Sequence, residues 1–188
     1  MQLFSAEQVL HGYSLGVFPM AHPEEDNAIY WYEPELRGII PLNGLKVSKN
    51  LARTIRKGVF EVRMNTAFRE VMEACAQREE TWISEEIIDI YTELHEKGWA
   101  HSVECWQEGK LVGGLYGIAM GRAFFGESMF HRVTDASKVA LVYLVSWMKA
   151  NDFTLLDTQY LNSHLASLGG IEIPKEEYKE RLKEALSE

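Results

Sequence analysis

The chain has 188 residues, 46% of them apolar and 25% charged, the proportions of an ordinary folded protein and not of a disordered or fibrous one. Its 28 acidic side chains outnumber 19 basic ones, so at a formal charge of -9 a polyanion is repelled unless the cations are gathered in one place. The longest apolar run, Val139 to Val145, falls far short of the ~20 residues that cross a bilayer, and no leader-like segment opens the chain, so a cytoplasmic address is the default expectation.

Ser5 and Gln8 have capping-box spacing, and Val9, Leu10 and Tyr13 share a face, which predicts a helix from Ala6 to Leu15. Between Val17 and Pro41 four prolines alternate with Phe18, Tyr30, Trp31 and Tyr32, a composition that interrupts helices and supplies stacking surfaces. This stretch reads as a small aromatic-rich N-terminal domain over residues 1–35, followed by a larger one over 36–188. Ser48 can cap a second helix that stops at Gly58, and Lys49, Arg53, Arg56 and Lys57 fall on one side of it. On spacing alone that stripe is either a solvated face or a contact for phosphates. Phe60 to Met64 alternates as a strand, Asn65 is placed to cap the next helix (Phe68, Val71, Met72 and Cys75 inward), and Ser84 to cap another that ends at Gly98.

The period then changes to two. His101–Gln107, Leu111–Met120 and Ala123–Phe130, separated by turns at Glu108-Gly109-Lys110 and Gly121-Arg122, predict an antiparallel meander. Gly113, Gly114 and Gly117 inside its middle strand suggest a bulge or a close backbone approach, since a phosphate loop would have to open a helix. Thr134 or Asp135 caps a nearly all-apolar helix to about Ala150, Thr154–Gln159 is a further strand, Asn162–Leu168 a short helix, and Pro174 opens a charged C-terminal helix. Cys75 and Cys105 lie in a predicted helix and strand without a CxxC partner, which favours buried free thiols.

The six histidines form no cluster with carboxylates at metal-ligand spacing, and neither a G-x-S-x-G elbow nor a P-loop occurs. What stands out is polar residues in otherwise apolar strands: Glu127 in Phe124-Phe-Gly-Glu-Ser-Met-Phe130, and Asp157 with Gln159 two apart on one face of Leu155-Leu-Asp-Thr-Gln159. A carboxylate among aromatics costs several kcal/mol unless it is paired or hydrogen-bonded.

Helices, a three-stranded meander, a helix and another strand, in that order, resemble the α+β acyltransferase fold of the GNAT superfamily. Its CoA-using members carry an [RQ]-x-x-G-x-[GA] loop that holds a pyrophosphate at a helix N-terminus. The matching stretch here is Arg132-Val-Thr-Asp135-Ala136-Ser137, with both glycine-type positions altered and an aspartate where the anion would sit, which disfavours CoA. The runs Trp82-Ile83, His101-Ser-Val-Glu-Cys-Trp106, Leu111-Val-Gly-Gly-Leu-Tyr-Gly117, Gly126-Glu-Ser-Met-Phe130, Asp135-Ala-Ser-Lys138 and Asp157-Thr-Gln159 closely resemble the bacterial leucyl/phenylalanyl-tRNA-protein transferases, over nearly the whole chain. That family moves leucine or phenylalanine from charged tRNA to proteins whose N-terminal residue is arginine or lysine, marking them for N-end-rule degradation. It uses no cofactor, and the scattered histidines of this chain lead to the expectation of no metal site.

The resemblance implies a catalytic set of Asp157, Gln159 and Glu127. Gln159 would orient the attacking α-amine, Asp157 would polarise or orient that contact, and Glu127 would attract a cationic acceptor. Leu115, Phe124, Leu141, Leu144 and Met148 match the positions of the pocket for the donor side chain, and all are apolar here. Of two family tryptophans that bracket the terminal adenosine, one matches Trp82 and the other is replaced by Met20, a thioether that stacks less strongly on a purine. Lys49, Arg53, Arg56 and Lys57 become expected contacts to the tRNA backbone. The competing readings are a GNAT-like N-acyltransferase with another acyl donor, and a non-catalytic adaptor that binds N-terminal degrons.

Overall fold

In the computed structural model, which describes residues 4–78 and 81–187, the chain forms two sheets and seven α-helices among the described residues. Helix α1 (Ala6–Ser14) carries the complete capping box: the Ser5 hydroxyl accepts from the Gln8 N–H and the Gln8 side chain accepts from the Ser5 N–H. Strands β1 (Phe18–His22) and β2 (Ala28–Tyr32) pair antiparallel as a separate ribbon. The main sheet has the order β4 (Glu61–Met64), β5 (Ala100–Gln107), β6 (Lys110–Met120), β7 (Ala123–His131), β8 (Leu155–Gln159), β3 (Leu36–Ile39), β9 (Ile171–Pro174). Its only parallel pairing among the described residues is β7 with β8, because α5 (Ala136–Ala150) crosses between them.

Side chains alternate across the sheet into two apolar layers. Tyr116, Phe125 and Leu155 face α1, α3 (Phe68–Ala76), α4 (Glu85–Glu96) and α7 (Lys175–Leu186), while Leu115, Phe124 and Leu156 face α5 together with Leu51 of α2 (Lys49–Arg56). Residues of the aromatic-rich stretch take part in the first layer: Tyr13 and Phe18 share a cluster with Tyr91, Phe125 and Tyr178. The three glycines of β6 give both features expected of them. A bulge falls between Tyr116 and Gly117, and a methyl group on Gly113 would come 2.4 Å from the Cβ of Ala136, so α5 packs directly on bare backbone.

Ser48, Ser84 and Asn162 accept the hydrogen bonds that start α2, α4 and α6 (Ser163–Ser167). Asn65 does not cap α3. It adopts a left-handed φ of 62°, and its Oδ1 accepts from the Ser102 N–H at 3.0 Å, tying the α3 entrance to β5. Asp135 stands at the N-cap of α5 with φ 70° and makes no side-chain capping bond. Three strands, β1, β2 and β3, form where the prolines suggested only interruption, and β9 follows the Gly169-Gly170 stop. Both cysteines are buried and free, and burial pushes each thiol up to about 12. No described helix is long and apolar enough to cross a membrane.

Candidate active site

The parallel strands stay paired for three residues, Ala123, Phe124 and Phe125 against Leu155, Leu156 and Asp157, and then part. Beyond that point β7 continues along β6 while β8 is held by β3, Gln159 opposite Gly38. A cavity of about 400 Å³ opens in the fork, lined by Gly126 and Glu127 from one strand and Thr158 and Gln159 from the other. Splayed parallel strands are a recurrent place for a site, because each supplies backbone and side chains to a gap that the sheet itself keeps open.

Glu127 is half-buried and carries two hydrogen bonds. The Tyr13 hydroxyl donates to Oε1, and the Gln159 Nε2 donates to Oε2 at 2.9 Å. The one proton of the Tyr13 hydroxyl is engaged in the bond to the carboxylate, so Tyr91, whose hydroxyl lies 2.7 Å away, donates to the Tyr13 oxygen. Burial raises the Glu127 carboxyl to about 7 and the nearby Asp157 charge adds to the rise, while the bonds from Tyr13 and Gln159 oppose it. Burial and the Glu127 charge also lift both tyrosines well above the usual phenol range, so they remain donors.

Gln159 sits at a left-handed φ of 67°, a conformation that a long side chain occupies only when its surroundings fix it. Asp157 supplies that fixing. Its Oδ1 accepts the Gln159 backbone N–H at 2.8 Å and the Arg37 Nε–H at 2.9 Å, while its Oδ2 accepts from an Arg37 terminal nitrogen at 2.7 Å and from the Tyr178 hydroxyl at 3.0 Å. Arg37 is 1% exposed, donates its remaining terminal nitrogen to the Gly16 carbonyl at 2.7 Å, and lies between the Phe18 and Tyr178 rings at 4.7 and 4.3 Å. A carboxylate accepts and cannot donate, so the bond to Glu127 fixes the Gln159 amide with its nitrogen inward. Its Oε1 has no donor among the described residues.

The fork thus joins Glu127 and Gln159 on the cavity wall, with Asp157 fully buried beneath them. Met20 and Trp82 also line the cavity, and the Ala21 N–H donates to the Trp82 carbonyl at 3.2 Å, which locks β1 to the loop before α4. Leu115, Leu141 and Leu144 form an apolar end with Ile40 and Leu156. Phe124 and Met148 are fully buried in the same apolar layer but do not reach the cavity; they stand behind its wall. Lys49, Arg53, Arg56 and Lys57 lie outside the cavity on α2 and its C-cap, all exposed and none in an ion pair among the described residues.

Arg37, Tyr13, Tyr91 and Tyr178 escaped the sequence reading. Arg37 had a signal: it is a lone cation in the apolar run Leu36-Arg-Gly-Ile-Ile40, the same anomaly that singles out Glu127 and Asp157. The tyrosines had none, because on a helical face a tyrosine reads as an apolar residue.

Among the described residues, no group of three or more histidine, cysteine, aspartate or glutamate side chains is placed to hold a metal. A mixed sheet forked at the one parallel pairing among the described residues, with helices on both faces and a polar site in the fork, is the α+β architecture of GNAT-like proteins. The crystal structure of FemX superposes with a TM-score of 0.58, covering 89% of this chain and 66% of that one at 12% identity, a likeness of fold alone. The family models for the leucyl/phenylalanyl-tRNA protein transferase and for its N-terminal domain match residues 39–183 and 3–35, and the chain belongs to that family. It is 54% identical over 183 residues to the leucyl/phenylalanyl-tRNA--protein transferase of Herpetosiphon aurantiacus, covering 97% of this chain and 94% of the relative. It is 53% identical over 192 residues to that of Paramagnetospirillum magneticum, covering 100% and 92%.

Proposed function

We propose that this chain transfers leucine or phenylalanine from aminoacyl-tRNA to the α-amino group of proteins that begin with arginine or lysine, marking them in the cytoplasm for N-end-rule degradation, without cofactor or metal. The observation that carries the reading is the Gln159 amide, oriented by Glu127 at the fork with its carbonyl oxygen unused, beside an apolar cavity end of the right character for a leucyl or phenylalanyl side chain. In this reading residues 1–35, which bring Met20, are the small domain and residues 36–188 the transfer domain.

The aminoacyl ester is already activated, so the protein has chiefly to hold an amine against its carbonyl carbon. The Gln159 Oε1 accepts one N–H of the incoming α-amine and points its lone pair at the ester. The N–C bond forms, the C–O bond to the ribose breaks, and the amine proton ends on the departing ribose oxygen. Asp157 acts through the Gln159 backbone and Glu127 attracts the cationic acceptor. Trp82 and Met20 flank the terminal adenosine, Leu115, Leu141 and Leu144 enclose the aminoacyl side chain, and Phe124 and Met148 support them from behind. The α2 stripe meets the tRNA backbone. Although the protein carries -9, charges beyond a Debye length of ~8 Å are screened at physiological salt, so the local cations prevail.

The test is transfer of labelled leucine or phenylalanine from charged tRNA to peptides that differ only in their first residue. Basic first residues are expected to be modified; equal labelling of all peptides would reject the acceptor rule. The pH dependence separates the role of Glu127. A carboxyl at about 7 is neutral below and ionised above, and the acceptor α-amine, with a pKa of roughly 7.7–8.0, must also lose its proton. Below pH 7 the logarithm of kcat/KM for the peptide should therefore rise with a slope of about 2, and Glu127→Gln should reduce it to about 1 and leave only the inflection near 8. An unchanged slope in the variant would remove Glu127 from this role. For the apolar end, Leu144→Trp should lower phenylalanine transfer at least about tenfold by occupying the side-chain volume, while adenosine inhibits as well as before. Undiminished use of both donors would take Leu144 out of the pocket.

A further inference from the structure

A second hollow lies between the cavity and α2. Its volume is about 350 Å³, and it is lined by Lys46, Ser48, Leu51, Lys138, Ser167 and Leu168. No carboxylate lines it among the described residues. Leu51, Leu168 and Val47 make its apolar part, and two ammonium groups and the Ser48 hydroxyl, whose oxygen accepts the Leu51 N–H and whose proton remains available, supply the polar part, while the Ser167 hydroxyl donates to the His164 carbonyl at 2.6 Å. Lys46 is exposed and in no ion pair among the described residues; Lys138 has Asp135 at 3.6 Å.

The hollow is continuous with both neighbouring features. On one side, Ser48 is the N-cap of α2, and the next residue, Lys49, begins the exposed stripe. On the other, Ser137 lines the main cavity and the next residue, Lys138, lines the hollow, and His164 and Leu165 line the cavity where Ser167 and Leu168 line the hollow; burial and then the charges of Lys138 and His131 depress the His164 imidazole. Nitrogen-bearing side chains thus occur at each stage from the fork to α2: His131 and His164 on the cavity, Lys138 and Lys46 on the hollow, and Lys49 at the start of α2. In a protein with nine excess negative charges, a succession of this kind ending at the site is not an average surface.

We infer that this hollow binds the backbone phosphates of the single-stranded RNA segment that precedes the aminoacylated adenosine, and leads that strand from the cavity to α2. The inference rests on the aminoacyl-tRNA reading of the cavity. Lysine ammonium groups and a serine hydroxyl meet phosphate oxygens without reading bases, and a hollow of this size admits a nucleotide or two and excludes a duplex. The helical part of the RNA is thereby left to the α2 stripe, which is exposed.

The experiment is a calorimetric titration of adenosine and of the unacylated trinucleotide CpCpA, at several salt concentrations, into the full-length protein and into its Lys46→Ala/Lys138→Ala variant. Both lysines are at the surface or its edge, and the variant should fold. For the unaltered protein CpCpA is expected to bind about tenfold more tightly than adenosine, as two charge-assisted contacts would give. Its two phosphates should add a salt slope of about -1.4, at roughly -0.7 per single-strand phosphate. In the variant the affinity ratio should fall towards one and the added slope towards zero. An affinity ratio and slope that survive both substitutions would overturn the proposal, as would an equal weakening of adenosine, which would put the lysines at the cavity itself. The titration needs no turnover. A phosphate-dependent gain in a protein that fails to transfer from any aminoacyl donor would leave this site standing and strike the aminoacyl-transfer reading instead.

Discussion

Replacement of Gln159 by alanine is expected to lower kcat for transfer by about 10²-fold at saturating donor and to leave the donor KM within about twofold. The proposed bond from its Oε1 is made to the attacking amine and not to the bound ester. Glutamine is a weak base, so its contribution is to direction: the amide is held at one end by Glu127 at 2.9 Å and at its root by the Asp157–N–H bond of 2.8 Å, and an amine that meets the free oxygen has little angular freedom left. Gln159→Glu sharpens the test. It replaces the nitrogen that donates to Glu127 with a second carboxylate oxygen, so the two acids must share a proton or separate, and the variant should be as poor as alanine at neutral pH despite being nearly isosteric. Steady-state transfer with each component varied in turn decides the matter. A Gln159→Ala enzyme with unchanged kcat and a raised donor KM would place the residue in donor binding.

Loss of Arg37 should be the most damaging single change to stability. Arg37→Met leaves Asp157 fully buried with no counter-charge, an arrangement that typically costs about 3–5 kcal/mol, and for a chain of this length the midpoint of thermal unfolding should fall by about 10 °C or more. The damage should spread to function, because Arg37 ties together the Gly16 carbonyl, the Phe18 and Tyr178 rings and the carboxylate that holds Gln159 in its left-handed turn. Arg37→Met combined with Asp157→Leu removes both charges and is expected to recover a good part of the lost stability. Activity should not return, since the Gln159 N–H then has no acceptor. Thermal denaturation followed by circular dichroism, with transfer assays on the same preparations, reads both effects. Wild-type stability of the single variant would show that water reaches Asp157 and that the pair is not a buried one.

The difference between Asn65 and Ser84 shows where local reading stops. Both precede a predicted helix and both belong to the residue types that cap helices. Ser84 has no competing partner and accepts the Ile87 N–H at 3.3 Å, while Asn65 faces the end of β5 and bonds to Ser102 there, leaving Ala67 at the helix start without a side-chain cap. In the same way Leu36-Arg-Gly-Ile39, four residues between Pro34 and Pro41, has too short a pattern to announce a strand, yet it lies inside the main sheet. Its pairing partners, β8 and β9, are more than a hundred residues further along the chain, and only they make it a strand.

The amino-acid order by itself determined the helices whose apolar stripe and cap agree, the antiparallel meander with its glycine approaches, the family to which the chain belongs, and the polar residues in the strands whose burial demanded an explanation. These are properties of periods and near neighbours, and each is written within a dozen or so residues. Tertiary structure alone decided how those residues meet. It set the parting of β7 from β8 after three paired residues and the direction of the Gln159 amide. It also placed Asp157 beneath the cavity rather than on it, held there by an arginine 120 positions away, and put Phe124 and Met148 behind the pocket wall that Leu115, Leu141 and Leu144 present. Such relations depend on which buried donor finds which acceptor once the chain is closed, and a buried charge is satisfied by whatever the fold brings to it, however distant in sequence.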